Sequence, residues 1–233
     1  MTPIDEREAV ERLRACPLFA PCPDGVLVEV GRRLRPRRFR RNEVIFHQGD
    51  PGDALHIITS GAVKILLPSA EGDEAIIATL RPGDFFGELA LLDGEPRSAT
   101  ATAVEPTETM SLPRDLFREL LDRHPSLRDA VFSAVAGQLR RLTTHVEELH
   151  FLDLAGRLAA RLGRLAIQAQ PDGTGSISLD WPYTQTDLAA MIGGSRQSVN
   201  RLLSELIDDG LLRLDHDRLI VPNLDALERR SER

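Results

Sequence analysis

Residues 184–206 read TQTDLAAMIGGSRQSVNRLLSEL, and this stretch decides the architecture of the C-terminal part of the chain. Thr184 is a good helix N-cap, with Asp187 three residues on in the spacing of a capping box. Leu188, Ala189 and Ile192 fall on one face of the helix that follows. Gly193-Gly194 allows a sharp turn, and Ser195 is a second N-cap. Val199, Leu202, Leu203 and Leu206 give the second helix an inward stripe, and Gly210 ends it. Two short helices joined in this way match a helix-turn-helix.

In that motif the first residues of the second helix meet base edges in the DNA major groove. Here Arg196, Gln197, Asn200 and Arg201 lie outside the apolar stripe. Arginine is the usual partner of guanine, and Gln and Asn suit adenine. The predicted DNA-facing set is Thr184, Gln185, Ser195, Arg196, Gln197, Ser198, Asn200 and Arg201. An αα-hairpin with a solvated polar face is the bland alternative. After the motif, Leu211–Leu214 and Arg218–Val221 read as a hairpin turning at Asp215-His216-Asp217, a wing for the DNA backbone. Asn223 is placed to cap a last helix. Before the motif, Leu154–Ile167 is amphipathic, with Arg157, Arg161 and Arg164 on its polar side. A loop at 171–175 and a short strand at Ser176–Leu179 follow it.

Further upstream, Val131, Val135, Leu139, Leu142, Val146 and Leu149 recur at intervals of three and four. They draw one stripe along a helix from Leu127 to Leu149. At ~1.5 Å per residue that helix runs roughly 35 Å, long for packing on a small domain alone. A partner helix along the stripe, hence a homodimer, is the favoured reading, and an ordinary core helix the alternative. Pro113 and Pro125 mark two helix starts, with an amphipathic stretch from Asp115 to Arg123.

The N-terminal half has a different grammar. Short β-like runs occur at 43–47, 55–59, 62–67, 74–80 and 100–104, separated by Gly/Pro/Asp turns. Such regular strands predict a sandwich or barrel over residues 25–112, with a short helix at Leu27–Leu34. Residues 1–24 read as a short helix and a Pro-broken loop ahead of that domain. Residues 113–152 form the helical segment and hinge, and 153–233 the winged helix-turn-helix. The fold class is therefore α+β.

Composition sets outer limits. The 233 residues are 42% hydrophobic, enough to build cores. No run approaches the roughly 18 apolar residues of a membrane span. The start, MTPIDEREAVERLR, does not look like a secretory signal. Cys16 and Cys22 make no disulfide framework, so a reducing cytoplasm is expected. The net charge of −7 does not exclude DNA, because a footprint is local. From Phe151 onward 10 Arg face 12 Asp/Glu, so contact must come from clustered arginines.

A second dense signal is Phe86-Gly87-Glu88-Leu89-Ala90 with Arg97-Ser98-Ala99. Gly87 permits close backbone approach, and N–H groups after a tight turn can form an anion nest. Arg97 supplies a planar fork for phosphate oxygens, and Ser98 a hydroxyl donor. Glu88 can accept from sugar hydroxyls. The set suits a nucleotide with one phosphate and a free ribose hydroxyl. A surface turn with a Glu88–Arg97 ion pair explains the same residues without a ligand.

Taken together, these motifs resemble the CRP/FNR family of bacterial regulators over nearly the whole chain. Gly87–Ala90 with Arg97–Ala99 looks like its phosphate-binding cassette, His150–Arg157 like its hinge, and Ser195–Arg201 like its recognition helix. The resemblance implies that Glu88 binds the ribose, that Gly87 and Leu89 lend backbone, and that Arg97 and Ser98 hold a cyclic phosphate. The family's purine-contacting positions fall at Leu142 and Thr143, and Leu142 departs from the polar pattern. Cyclic AMP is the first expectation for the effector, with cyclic GMP, cyclic di-GMP or no effector as alternatives. Gln197 stands where the cyclic-AMP receptor has Glu, which shifts the expected half-site.

The iron–sulfur branch needs more thiolates than two cysteines offer, and no histidine is singled out as a haem ligand. No metal site, required cofactor or catalytic set is expected. The implied partners are a palindromic DNA operator, a second copy of the chain and RNA polymerase. Leu152 and Asp153 form the expected hinge, with Asp153 capping the next helix.

Overall fold

The computed structural model describes residues 6–71, 73–170, 175–215 and 218–231. The chain divides into two compact units, 1–68 with 77–140 and 69–76 with 141–233.

The first unit is built on two antiparallel sheets. Strands β1 (Arg35–Phe39), β3 (Ala54–Ser60), β6 (Phe85–Phe86) and β8 (Thr107–Pro113) form one, in the order β1-β8-β3-β6. Strands β2 (Val44–Phe46), β4 (Val63–Pro68), β5 (Glu74–Leu80) and β7 (Thr100–Ala103) form the other, in the order β2-β7-β4-β5. Ile58, Val63, Phe86 and Ala101 pack together as a buried cluster, joined by Ile45, Phe46, Ile65 and Leu80. The five expected strands are present. β1, β6 and β8 are additional. β1, RPRRF, offers one buried apolar side chain, and β8 buries Thr107, Thr109 and Ser111. Neither alternates, so periodicity could not reveal them. Pro36 is tolerated because β1 lies at a sheet edge, where a missing N–H costs no ladder bond.

The helices correct three expectations. α1 (Glu6–Ala15) and the loop after it are not ahead of the domain. Leu13, Cys16, Leu18, Phe19 and Cys22 share one buried cluster with Leu55, Leu112, Phe117 and Leu127. α2 spans Asp24–Gly31 rather than Leu27–Leu34. Arg35 precedes Pro36 and is driven to extended backbone, so the chain turns into β1. After α3 (Leu89–Asp93) and α4 (Arg114–Arg123), α5 runs from Pro125 to Phe151. Its residues Leu127, Ala130 and Val131 belong to the core of this unit. Val131, 5% exposed, is thus withdrawn from the expected seam. The first turns of α5 must cover their own domain, and Val131 faces it. Burial raises the Cys16 thiol to about 12, so it stays a neutral apolar filler.

The second unit contains α6 (Leu154–Ala169), β9 (Ile177–Asp180), α7 (Gln185–Ile192), α8 (Arg196–Asp208), β10 (Arg213–Asp215), β11 (Arg218–Val221) and α9 (Leu224–Ser231). β9, β10 and β11 make a small antiparallel sheet in the order β10-β11-β9. The expected hairpin is present, but 216 and 217 of its turn lie outside the described residues, as do 171–174 of the expected loop. Asn223 caps α9, its Oδ1 accepting from Ala226 N at 3.0 Å. No described helix is long and apolar enough to cross a membrane.

Candidate ligand cradle and DNA-reading face

Arg97 is the anchor of the first site. Its guanidinium is buried, and it donates from Nη1 to Gly87 O at 2.6 Å and from Nη2 to Ala54 O at 2.9 Å. Nη2 also reaches Asp53 Oδ1 at 2.8 Å. The planar group lies over the Phe46 ring, 4.1 Å from its centroid. Nε is buried with no hydrogen-bond partner among the described residues. Burial pulls the Arg97 pKa down, while Asp53 and Glu88 hold it up. A fork this enclosed is still a cation at neutral pH.

Gly87 makes the arrangement possible. Its φ is +85°, and a Cβ there would meet Arg97 Nη1 at 2.5 Å. Glu88 is buried just before α3, Leu89 is exposed, and Ser98 is exposed beside Arg97. The sequence thus placed Gly87, Glu88, Leu89, Arg97 and Ser98 in one neighbourhood, but not Asp53, Ala54 or Phe46. Those three lie more than forty residues from Arg97, and no local spacing signals them. Arg97 makes an ion pair with Asp53. Leu142 and Thr143 are exposed on the part of α5 that groups with the second unit.

His56 lies under this site. It stacks on Phe86 at 5.1 Å, and its Nδ1 is 3.2 Å from Thr109 Oγ1. Burial, then the charge of Arg97, lowers its pKa to about 4, so it is a neutral ring at physiological pH.

The second site is the exposed face of α7 and α8. The Thr184–Asp187 capping box is complete: Asp187 N donates to Thr184 Oγ1 at 3.1 Å, and Thr184 N to Asp187 Oδ2 at 2.9 Å. Ser195 caps α8 by accepting from Ser198 N at 3.1 Å. Gly193, at φ +67°, makes the turn between the helices. Val199, Leu202, Leu203 and Leu206 are buried as expected. Arg196, Gln197, Asn200 and Arg201 all face solvent. Gln185 Nε2 donates to Asn200 Oδ1 at 2.9 Å, joining the two helices on this face.

The arginines of α6 have other work. Arg157 Nη1 caps the end of α7 at Ile192 O, 2.8 Å away, and Arg161 Nε reaches Met191 Sδ at 3.4 Å. Arg164 grips both oxygens of Glu148. Burial lowers the Arg161 pKa to about 10. They are structural rather than a solvated polar face. His145 is half-buried beside Glu148, and burial lowers its pKa, with Arg161, Arg164 and Arg157 adding to the effect. Among the described residues no cluster of three or more His, Cys, Asp or Glu could hold a metal.

On α5, Phe132 is 72% exposed and Leu139 65%. Leu142, Val146 and Leu149 are also exposed, and Val135 is half-buried. Phe132 in place of Val131 regularises the stripe: 132, 135, 139, 142, 146 and 149 step by 3, 4, 3, 4 and 3. That is a strict coiled-coil repeat. Between α5 and α6 lie only Leu152 and Asp153, and Asp153 Oδ1 caps α6 by accepting from Gly156 N at 2.7 Å.

A two-sheet domain and a winged helix-turn-helix in one chain define a class of DNA-binding regulator. The family model described as "Cyclic nucleotide-binding domain" matches residues 36–124, and "Crp-like helix-turn-helix domain" matches 156–230. The CRP-like cAMP-activated global transcriptional regulator of Mycobacterium tuberculosis is 30% identical over 221 residues, covering 95% of this chain and 99% of that one. The cyclic AMP receptor protein of Thermus thermophilus is 36% identical over 183 residues, 78% and 80% of the two chains. The structure of FixK2 from Bradyrhizobium japonicum shares the fold at a TM-score of 0.76, with 22% identity, covering 84% and 96% of the two chains. The chain belongs to the CRP/FNR family. It is a DNA-binding transcription regulator with a cyclic nucleotide-binding domain.

Proposed function

We propose that the protein is a homodimeric regulator whose grip on a palindromic operator is set by a cyclic nucleotide, cyclic AMP first, held at Arg97. One observation carries this reading. A buried guanidinium stands beside the Gly87–Leu89 backbone with its Nε–H unsatisfied and an exposed carboxylate, Asp53, as its ion-pair partner. A buried donor without an acceptor costs free energy that an incoming phosphate oxygen would recover. Gly87, Glu88, Leu89 and Ser98 complete the cradle. Two chains pair along Phe132, Val135, Leu139, Leu142, Val146 and Leu149. The ligand favours one setting of the Leu152–Asp153 hinge and acts only through its differential affinity for the two settings. That setting spaces two copies of α8 about one helical turn apart on DNA, ~34–36 Å. Arg196, Gln197, Asn200 and Arg201 meet base edges, and RNA polymerase is the downstream partner.

A second reading has its own observation. Both terminal nitrogens of Arg97 already bond to Gly87, Ala54 and Asp53, so the site is self-satisfied at those atoms. With Leu142 at a purine position, this favours a regulator that needs no effector. Calorimetric titration of the protein with cyclic AMP, cyclic GMP and cyclic di-GMP separates the two. Binding of one of them at one site per chain, lost in Arg97→Ala, is expected. No heat with any of them, and tight operator binding by the free protein, would favour the second reading.

A further inference from the structure

We infer that Gln185 is a specificity-determining residue: it fixes the Asn200 amide so that its N–H donors, not its oxygen, face the DNA bases. This rests on the DNA-reading role of α8 given above.

An exposed asparagine on a reading helix is ambivalent by itself. Its terminal group offers a carbonyl oxygen and an NH2, and a half-turn about the last side-chain bond exchanges them. Free to turn, it pairs with adenine through both atoms, or with an acceptor or a donor through one. Asn200 is exposed, just outside the buried stripe of Val199 and Leu203. Its Oδ1, however, accepts from Gln185 Nε2 at 2.9 Å. The oxygen is directed toward α7, and Nδ2 is left for the groove.

Gln185 is itself held. It is the first residue of α7, next to Thr184, whose side chain and backbone N–H are both engaged by Asp187. It is half-buried, and its amide nitrogen is the group that meets Asn200. On α8, Ser195 accepts from Ser198 N, which fixes the first turn of the helix that carries Asn200. The Gln185 amide thus starts from a capped helix end and reaches across to the Asn200 amide on the reading helix. Supporting bonds of this kind set the orientation of a group that reads another molecule.

The consequence is chemical. With donors outward, Asn200 pairs with major-groove acceptors: O6 and N7 of guanine or O4 of thymine. Cytosine presents an N4 amino group there, donor against donor, and is rejected. Two-point pairing with adenine requires Oδ1 to take up the adenine amino group as well, in competition with Gln185.

The test is operator selection by the full-length protein from a palindromic duplex library randomised in each half-site. Cyclic AMP, cyclic GMP and cyclic di-GMP are all present. Wild type is expected to enrich guanine or thymine over cytosine at one position per half-site. In Gln185→Glu the carboxylate accepts from Nδ2 and turns Asn200 over, so Oδ1 faces the groove. The preference at that position should then move toward cytosine or adenine by about fivefold or more, with other positions unchanged. An acidic residue in a first helical turn is compatible with folding. Asn200→Ala should erase the preference at the same position. Unchanged base preferences in Gln185→Glu, or a preference that survives Asn200→Ala, would overturn the inference. A wild-type protein that selects no sequence would instead overturn the DNA-reading role of α8.

Discussion

Arg97 reaches its three oxygen partners only because residue 87 has no side chain. Alanine there would combine a left-handed backbone with a Cβ 2.5 Å from Nη1. Gly87→Ala should lower stability by about 1–3 kcal/mol and weaken nucleotide binding at least tenfold, read by urea titration and calorimetry. His56 carries a different prediction. Its native pKa is about 4, below the ordinary 6.5 that the unfolded chain retains. Between those values the unfolded chain binds a proton that the native ring refuses. Stability therefore falls as pH drops from 6.5 to 4, by roughly 3 kcal/mol for this residue, and levels off below. His56→Phe should remove that slope from denaturation curves taken across the interval. A slope of equal size in the variant would assign it to other groups.

At the scale of elements, α5 divides its labour by turns. Its first turns cover the domain core, and its exposed stripe begins at Phe132. Val131→Ala should cost about 1–3 kcal/mol at any protein concentration, because it opens a cavity within one chain. Leu139→Asp should leave that core intact and yield monomers by sedimentation. The reverse pattern would place the seam elsewhere. The same division explains what was legible in the sequence. The helix-turn-helix was readable because its caps, turn and inward stripe lie within 23 consecutive residues. Asp153 was readable as a cap for the same reason. Val131 was not, because both Val131 and Phe132 are apolar and the interval of four from 131 to 135 is as helical as the interval of three from 132. β8 was not readable either, since its buried Thr and Ser look like a surface segment. Asp53 and Phe46 became partners of Arg97 only through strand pairing.

At the scale of the whole molecule, a chain of net charge −7 must hold a polyanion with few cations. The arginines of α6 are committed to Ile192, Met191 and Glu148. Arg164→Gln should therefore destabilise the second unit while leaving the salt slope of operator binding unchanged. Arg201→Gln should weaken binding, with relaxed selectivity at one base pair worth ~1–3 kcal/mol. Fluorescence anisotropy across a salt series distinguishes them, and a reduced slope in Arg164→Gln would return α6 to the DNA surface. The exposed stripe of α5 has a genetic consequence as well. Because it carries none of the residues assigned to base reading, a copy lacking Arg196 and Arg201 would, under the proposed pairing, still join an intact one. Such hybrids carry one working head where a palindrome demands two. A gene dose of the crippled allele would then silence the healthy allele beside it, and loss of function would be inherited as a dominant trait.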